Sequence, residues 1–147
     1  MKATLLHEDQ GFRTFVVVLA AGDEVMSSIA AFANEHRVGA TQFTAIGALS
    51  RAVVAFFDWH TRQYRNIEID EQVEVLSLLG DITLDQEQPK VHAHVVLGKA
   101  DASAHGGHLV EAVVRPTVEI ILTEAPRQLR RRFDPQSGLS LIDPERS

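Results

Sequence analysis

The stretch "RTFVVVLAAGDEVMSSIAAFANEHRVGA", residues 13–40, decides the fold because it places one apolar strand directly before one helix. Residues 13–21 are apolar on both alternations and rich in valine, which is typical of a strand buried on both faces of a sheet. The residues after this strand change to helical spacing. The pattern therefore predicts a central strand followed at once by a helix.

We predict this helix over residues 24–37. Asp23 is suited to the N-cap position, and Glu24 lies where the helix dipole favours a negative charge. Gly39 is suited to the position just after the helix, where a left-handed residue often ends it. The residues that recur at helical spacing are Val25, Ile29, Phe32, Ala33 and His36.

The remainder of the chain shows strand patterns joined by connections too short for crossover helices. A Gly-Ala-Leu-Ser interruption at 47–50 predicts a bulge or a sharp bend. The fold class that follows is α+β, with a largely antiparallel sheet of about six to seven strands and one main helix. The predicted strands lie in "TQFTAIGALSRAVVAFFDW", "QYRNIEID", "EQVEVLSLLGDITL", "PKVHAHVVLG" and "TVEIILTEA".

One helix cannot cover both faces of so apolar a sheet, so the uncovered face is a predicted oligomer interface. No linker or repeat divides the 147 residues, which predicts one domain over 1–147, with a core over about 13–125 and a tail over about 126–147. The longest apolar run, "FVVVLAA", is far shorter than the roughly 20 residues that cross a bilayer. There is no signal-peptide pattern either, so we expect a cytoplasmic protein without membrane partners.

Four of the seven histidines lie in "PKVHAHVVLGKADASAHGGHLVEA", residues 89–112. In a strand over 91–98, alternation places His92 and His94 on one face, about 7 Å apart, so that both rings can reach one ion. A third imidazole can come from His108 if the two glycines before it form a sharp turn and allow close approach. His105 precedes these glycines and is predicted to be a loop residue.

Three histidines without a fourth protein ligand would leave one coordination position for water or substrate. Imidazole donors suit zinc and other divalent transition metals, and the absence of cysteine excludes thiolate sites. The predicted site is therefore a zinc site of His92, His94 and His108, facing a small-molecule pocket near a subunit boundary. The other readings are a structural metal in an interaction module, or polar side chains that face solvent.

The segments "HAHVVLG", "HGGHLVEAVVRPTVEIIL", "GDEVMSSIAAFANEHRVGATQFTAIGAL" and "RRFDPQSGLSLI" resemble the plant- and prokaryote-conserved (PPC) domain, over about residues 13–142. The resemblance implies an α+β fold assembled as a homotrimer. It also implies that bacterial members carry histidines at positions 92, 94 and 108, clustered so that they could hold a metal. It does not define a biochemical role.

Plant members of this family carry AT-hooks and occur in DNA-binding proteins, but this sequence has no Gly-Arg-Pro core of that kind. The net charge of −6 also argues against general affinity for phosphate backbones. A DNA-binding or regulatory role is the alternative prediction, and its residues lie in "RQLRRR". These are Arg127, Arg130, Arg131 and Arg132, which could equally pair with nearby acids or face solvent.

An open metal site would permit small-molecule hydrolysis or sensing, so whether the chain is an enzyme stays open. Glu119 interrupts an apolar strand and is a candidate to orient a ligand imidazole or to act as a base. The sequence contains no His-Glu-x-x-His pattern, phosphate loop, nucleophile elbow or dinucleotide fingerprint.

Overall fold

The computed structural model describes residues 1–146, so the last residue of the predicted tail lies outside the described part. The described chain forms one nine-stranded sheet and one α-helix, followed by a short 3-10 turn. The elements are β1 (Lys2–Asp9), β2 (Phe12–Ala20), α1 (Val25–His36), β3 (Ala40–Asp58), β4 (Gln63–Ile69), β5 (Val73–Asp85), β6 (Gln88–Gly98), β7 (Ala104–Glu124), β8 (Arg130–Asp134) and β9 (Leu139–Asp143).

Two long strands organise the sheet. β3 pairs with β4, β5 and β7, whereas β7 pairs with β2, β3 and β6. Because β6 also pairs with β5, the four strands β3, β5, β6 and β7 form a closed ring of neighbours. Every strand pairing is antiparallel except one parallel contact between Leu84 of β5 and Arg130 of β8. The α+β class and the largely antiparallel sheet are thus confirmed for residues 1–146.

The strand count was predicted too low, because three strands lack a clear apolar alternation. All eight residues of β1 are exposed, and β1 pairs with β2 alone. The strands β8 and β9 form a hairpin in the predicted tail, and three of the five residues of β8 are arginines. Exposed or charged strands of this kind carry little periodic signal in a sequence.

The helix begins and ends close to the predicted positions, but its caps are different residues. Glu24, not Asp23, is the N-cap: its carboxylate accepts hydrogen bonds from the Met26 and Ser27 amides at 3.0 and 2.7 Å. Asp23 accepts from the Ala20 amide at 2.9 Å instead. At the other end Arg37, not Gly39, adopts the left-handed conformation, with φ of 53°.

The hydrophobic core lies between the helix and one face of the sheet, where α1 packs against β6 and β7. Leu19, Leu97 and Leu109 are fully buried there. His36 packs its ring against Phe32, with 4.4 Å between the ring centroids, which agrees with its place in the helical repeat. None of the helices in residues 1–146 is both long and apolar enough to cross a membrane.

The predicted interruption at 47–50 is a bulge inside a continuous strand. The register of β3 shifts at Gly47 against both β5 and β7, and Gly47 has a φ of 148°. A Cβ at this position would clash with the Thr117 carbonyl oxygen. Glycine is therefore required both for the backbone conformation and for the close approach of β7.

The face of the sheet opposite the core carries exposed apolar side chains, as the sequence predicted. Ile46 and Leu79 are 61% and 56% exposed, and Val18 and Ile121 lie in the same shallow groove. Contiguous apolar surface of this kind is typical of an interaction face.

The assignment of Glu24 as the N-cap of the helix can be tested by substitution. Replacing Glu24 with Ala should lower the free energy of unfolding by about 1–2 kcal/mol, because two amides at the helix N-terminus lose their acceptor. Urea unfolding followed by circular dichroism measures the change. Asp23→Ala is the control and should cost clearly less; an equal or larger loss in that variant would contradict the assignment of the cap.

Candidate metal centre

β6 presents His92 and His94 on the same face of the sheet. They alternate with Ala93 and Val95, which are buried in the core on the other face. The two imidazole rings lie edge to face with 5.1 Å between their centroids. Strand alternation alone therefore accounts for the first pair of the site.

His108 reaches this pair from β7, where it lies directly opposite His94 in the antiparallel register. The glycines before it, Gly106 and Gly107, belong to β7 and pair with Val96 and Val95. The predicted glycine turn is therefore wrong.

The glycines instead allow close packing of β7 against its neighbours, β6 at Gly106 and β3 at Gly107. A Cβ on Gly106 would lie 2.5 Å from the Val95 carbonyl oxygen, and one on Gly107 would lie 2.7 Å from that of Ala55. His105 is also in β7 rather than in a loop. It is paired with Leu97, and so lies on the face opposite His108.

The three imidazoles form one compact group. The centroid of His108 lies 5.2 Å from that of His92 and 5.5 Å from that of His94. One nitrogen from each ring falls within 4.8 Å of the others, which is compatible with three bonds to a single ion. The ring of Tyr64 packs on His108, with 4.8 Å between centroids.

The environment keeps two of these imidazoles neutral at pH 7. Burial, reinforced by the adjacent His92 and His94, lowers the pKa of His108 to about 4. Burial and the neighbouring His92 also lower the pKa of His94. A neutral imidazole is the form that donates a lone pair to a metal.

Asp81 lies on β5 directly opposite His92 and contacts its ring. Its Oδ2 lies 3.3 Å from His92 Nδ1, and its Oδ1 accepts a hydrogen bond from Arg131 Nη2 at 2.6 Å. Burial alone would raise the pKa of Asp81, but the hydrogen bonds from His92 and Arg131 outweigh it and the pKa lies below its usual value. Asp81 is therefore a carboxylate that accepts a hydrogen bond from His92 Nδ1, so that Nε2 is the His92 nitrogen available to an ion.

Glu119 is not part of the histidine group. Among residues 1–146, the histidine, aspartate and glutamate side chains that converge here are the three imidazoles alone. Glu119 is exposed on β7, paired with Val18 and Ile46, and lines the apolar groove with Ile121. Sequence reasoning missed Asp81, whose position opposite His92 depends on the register between β5 and β6.

Three of the four candidate arginines have acidic partners. Arg130 pairs with Glu87, Arg131 with Asp81 and Arg132 with Asp143. The Arg131 side chain is only 6% exposed. Arg127 is exposed and lines a separate, largely apolar cavity with Asp81 and Phe12.

Solved structures with the same fold include three informative neighbours. A candidate DNA-binding protein from Bacteroides thetaiotaomicron has a TM-score of 0.89 and 26% identity, over 97% of this chain and 98% of its own. A metal-containing protein from Archaeoglobus fulgidus has a TM-score of 0.82 and 34% identity, over 88% and 91%. A plant- and prokaryote-conserved protein from Pyrococcus horikoshii has a TM-score of 0.83 and 28% identity, over 97% and 94%.

No curated protein matches the chain. The model of the Plants and Prokaryotes Conserved (PCC) domain, the family also abbreviated PPC, matches residues 6–126. This match covers most of the chain and includes all three histidines. The chain therefore belongs to the plant- and prokaryote-conserved domain family.

Proposed function

We propose that this protein binds one divalent transition metal ion per chain through His92, His94 and His108, with zinc as the metal to test first. The observation that carries the proposal is the convergence of three imidazole nitrogens within 4.8 Å of one another. An all-imidazole donor set suits zinc and its neighbours in the first transition row rather than calcium or magnesium. The neighbour from Archaeoglobus fulgidus, a metal-containing protein with 34% identity, supports metal binding by this fold without identifying the metal.

The site has an unpaired imidazole nitrogen that a cation could bind. His108 Nδ1 is buried and has no hydrogen-bond partner within the described structure. Buried polar atoms are nearly always paired, and an unpaired imidazole nitrogen beside two further imidazoles is a ready metal ligand. The carboxylate of Asp81 behind His92 completes the support usual for a metal-binding histidine.

Three protein ligands leave room for a small molecule. When bound, a metal ion with three histidine ligands supplies an open position for water or a small ligand and acts there as a Lewis acid. The surroundings lower the pKa of His94 and of His108, Asp81 orients His92, and Tyr64 shields one side of His108. We infer a role in small-molecule hydrolysis or sensing rather than a purely structural one, because the apolar core lies on the face of β6 opposite the imidazoles.

The proposed assembly is a homotrimer in which the metal centre lies beside a subunit boundary. Leu79, which is 56% exposed in the apolar groove, is paired in register with His94. A second copy packed on this groove would therefore cover residues directly beside the site. This arrangement would create the small-molecule pocket that the sequence predicted.

DNA binding is the alternative, and the candidate DNA-binding neighbours from Bacteroides thetaiotaomicron and Ralstonia eutropha favour it. The charges of this chain favour it less. Arg130, Arg131 and Arg132 have carboxylate partners, and the net charge is −6. Phosphate binding depends on arginines and lysines that can neutralise phosphates, so metal binding remains the proposed function.

Metal binding is tested by titrating metal-depleted protein with Zn²⁺ in competition with a chromophoric chelator. We expect one ion per chain. In a His92→Ala/His94→Ala variant the affinity should fall by more than the about 10–100-fold typical when only a supporting residue is lost. His105→Ala is the matched control, from the same segment but the opposite face, and should bind as the wild type does. Equal affinities in all three proteins would show that the ion binds elsewhere.

The metal-free protein should stay folded at pH 7 but lose stability as the pH falls from about 6.5 to about 4. In this window an unfolded histidine, with a pKa near 6.5, takes up a proton that folded His108, with its pKa of about 4, does not. Urea unfolding across this range should therefore show a shallower pH dependence for His108→Gln than for the wild type. Identical slopes for the two proteins would refute the assigned environment of His108.

The trimer is tested by light scattering coupled to size-exclusion chromatography. The wild type should elute with three times the mass of one chain, and Ile46→Asp should dissociate it by placing a charge in the apolar groove. Phe133→Asp is the control, because Phe133 is 64% exposed but lies on the C-terminal hairpin. A monomeric wild type would contradict the proposed assembly.

A further inference from the structure

The C-terminal hairpin of β8 and β9 reaches the candidate metal centre through one buried side chain, Arg131. Its Nε donates to Thr83 Oγ1 at 2.6 Å, its Nη1 to the Ser140 carbonyl oxygen at 2.9 Å and its Nη2 to Asp81 Oδ1 at 2.6 Å. The side chain is 6% exposed, whereas that of the adjacent Arg132 is 67% exposed. The guanidinium of Arg131 thus fastens the hairpin to β5.

The carboxylate of Asp81 contacts both Arg131 and His92. Asp81 binds Arg131 through Oδ1 and His92 through Oδ2, so each oxygen has a separate partner. A guanidinium on one oxygen and an imidazole on the other hold the carboxylate in a single orientation. That orientation fixes the His92 ring through its Nδ1 and leaves Nε2 as the nitrogen available to an ion.

Other contacts between the hairpin and β5 include a side-chain hydrogen bond between Ser140 and Asp85. One parallel residue pair, Leu84 with Arg130, joins β8 to β5, supported by the Leu84 amide donating to the Leu129 carbonyl at 2.8 Å. The ion pair of Arg130 with Glu87 is exposed, and exposed pairs contribute little to stability. A terminal segment held this way opens more readily than the core of the sheet.

We propose that docking of the β8–β9 hairpin and metal binding at His92 are coupled through Arg131 and Asp81. The inference rests on the proposed metal site and adds a regulation to it. When the hairpin is docked, Arg131 fixes Asp81 and Asp81 fixes His92; when it detaches, the carboxylate loses its guanidinium partner and keeps the contacts with His92 and the Thr83 hydroxyl. Because coupling between two sites is reciprocal, metal binding must also stabilise the docked hairpin.

A purely structural ion pair predicts something different. If Arg131 and Asp81 only attach the hairpin, then removing either group loosens the hairpin but leaves it insensitive to the metal. Coupling instead requires that the hairpin responds to the metal in the wild type and stops responding when either group is removed. The decisive measurement is therefore made on the hairpin itself.

The first experiment is hydrogen exchange of the β8 and β9 amides, measured with and without saturating Zn²⁺. In the wild type, Zn²⁺ should slow exchange in the hairpin. In Asp81→Ala and in Arg131→Met, hairpin exchange should be the same with and without the ion. Unchanged hairpin exchange in the wild type, or slowing that persists in Arg131→Met, would overturn the coupling.

The second experiment compares Zn²⁺ affinities by chelator competition. Asp81→Ala should weaken binding by about 10–100-fold, as is typical for the carboxylate behind a metal-binding histidine. Arg131→Met should weaken it less, and the double variant should bind like Asp81→Ala alone, because both groups act in one chain of contacts. If the losses of Zn²⁺ affinity add in the double variant, Arg131 and Asp81 do not act through the same series of contacts.

The control for lost charge is Glu71→Gln, since Glu71 lies in the β4–β5 connection and pairs with Lys99. It should bind Zn²⁺ as the wild type does. The two proposals also fail separately. A wild type that binds no Zn²⁺ refutes the metal site itself, whereas a wild type that binds Zn²⁺ without slowing hairpin exchange refutes the coupling alone.

Discussion

The close approach of β7 to β6 at Gly106, and to β3 at Gly107, is the constraint on which the rest of the site depends. No side chain larger than hydrogen fits there, because a Cβ on either residue would press against a neighbouring carbonyl oxygen. This approach brings His108 directly opposite His94. A wider spacing between β6 and β7 would leave His92 and His94 without a third imidazole beside them.

Compact placement of three imidazoles disfavours protonation of the rings and leaves their lone pairs for a metal ion. A protonated ring disfavours a positive charge on the ring beside it, and partial burial removes the water that would stabilise one. At His108 this lowers the pKa to about 4, and the same ring carries a buried, unpaired Nδ1. Protons are therefore poor partners for this group at neutral pH, whereas a single ion can satisfy all three lone pairs at once.

Prediction from the sequence succeeded where a pattern is local and failed where it depends on register. Alternation along β6 is enough to pair His92 with His94, and the break in periodicity at Gly47 is enough to predict a bulge. Two glycines in sequence are more typical of a turn than of a strand interior, so the role of Gly106 could not be read without knowing what lies beside it. Asp81 could not be found for the same reason, since its contact with His92 follows from the pairing of β5 with β6.

The tail shows how a charged segment can be misread when its partners are distant in sequence. Arg131 lies 50 residues from Asp81 in the sequence, where it is one of three consecutive arginines. In the fold each of the three meets a different carboxylate, and only Arg131 is buried. Burying a guanidinium requires that its charge and its donors be satisfied, and Arg131 meets this requirement with a carboxylate, a hydroxyl and a carbonyl oxygen. A side chain held so fully is poorly placed to bind an external phosphate, and its position behind Asp81 makes it instead part of the surroundings of His92.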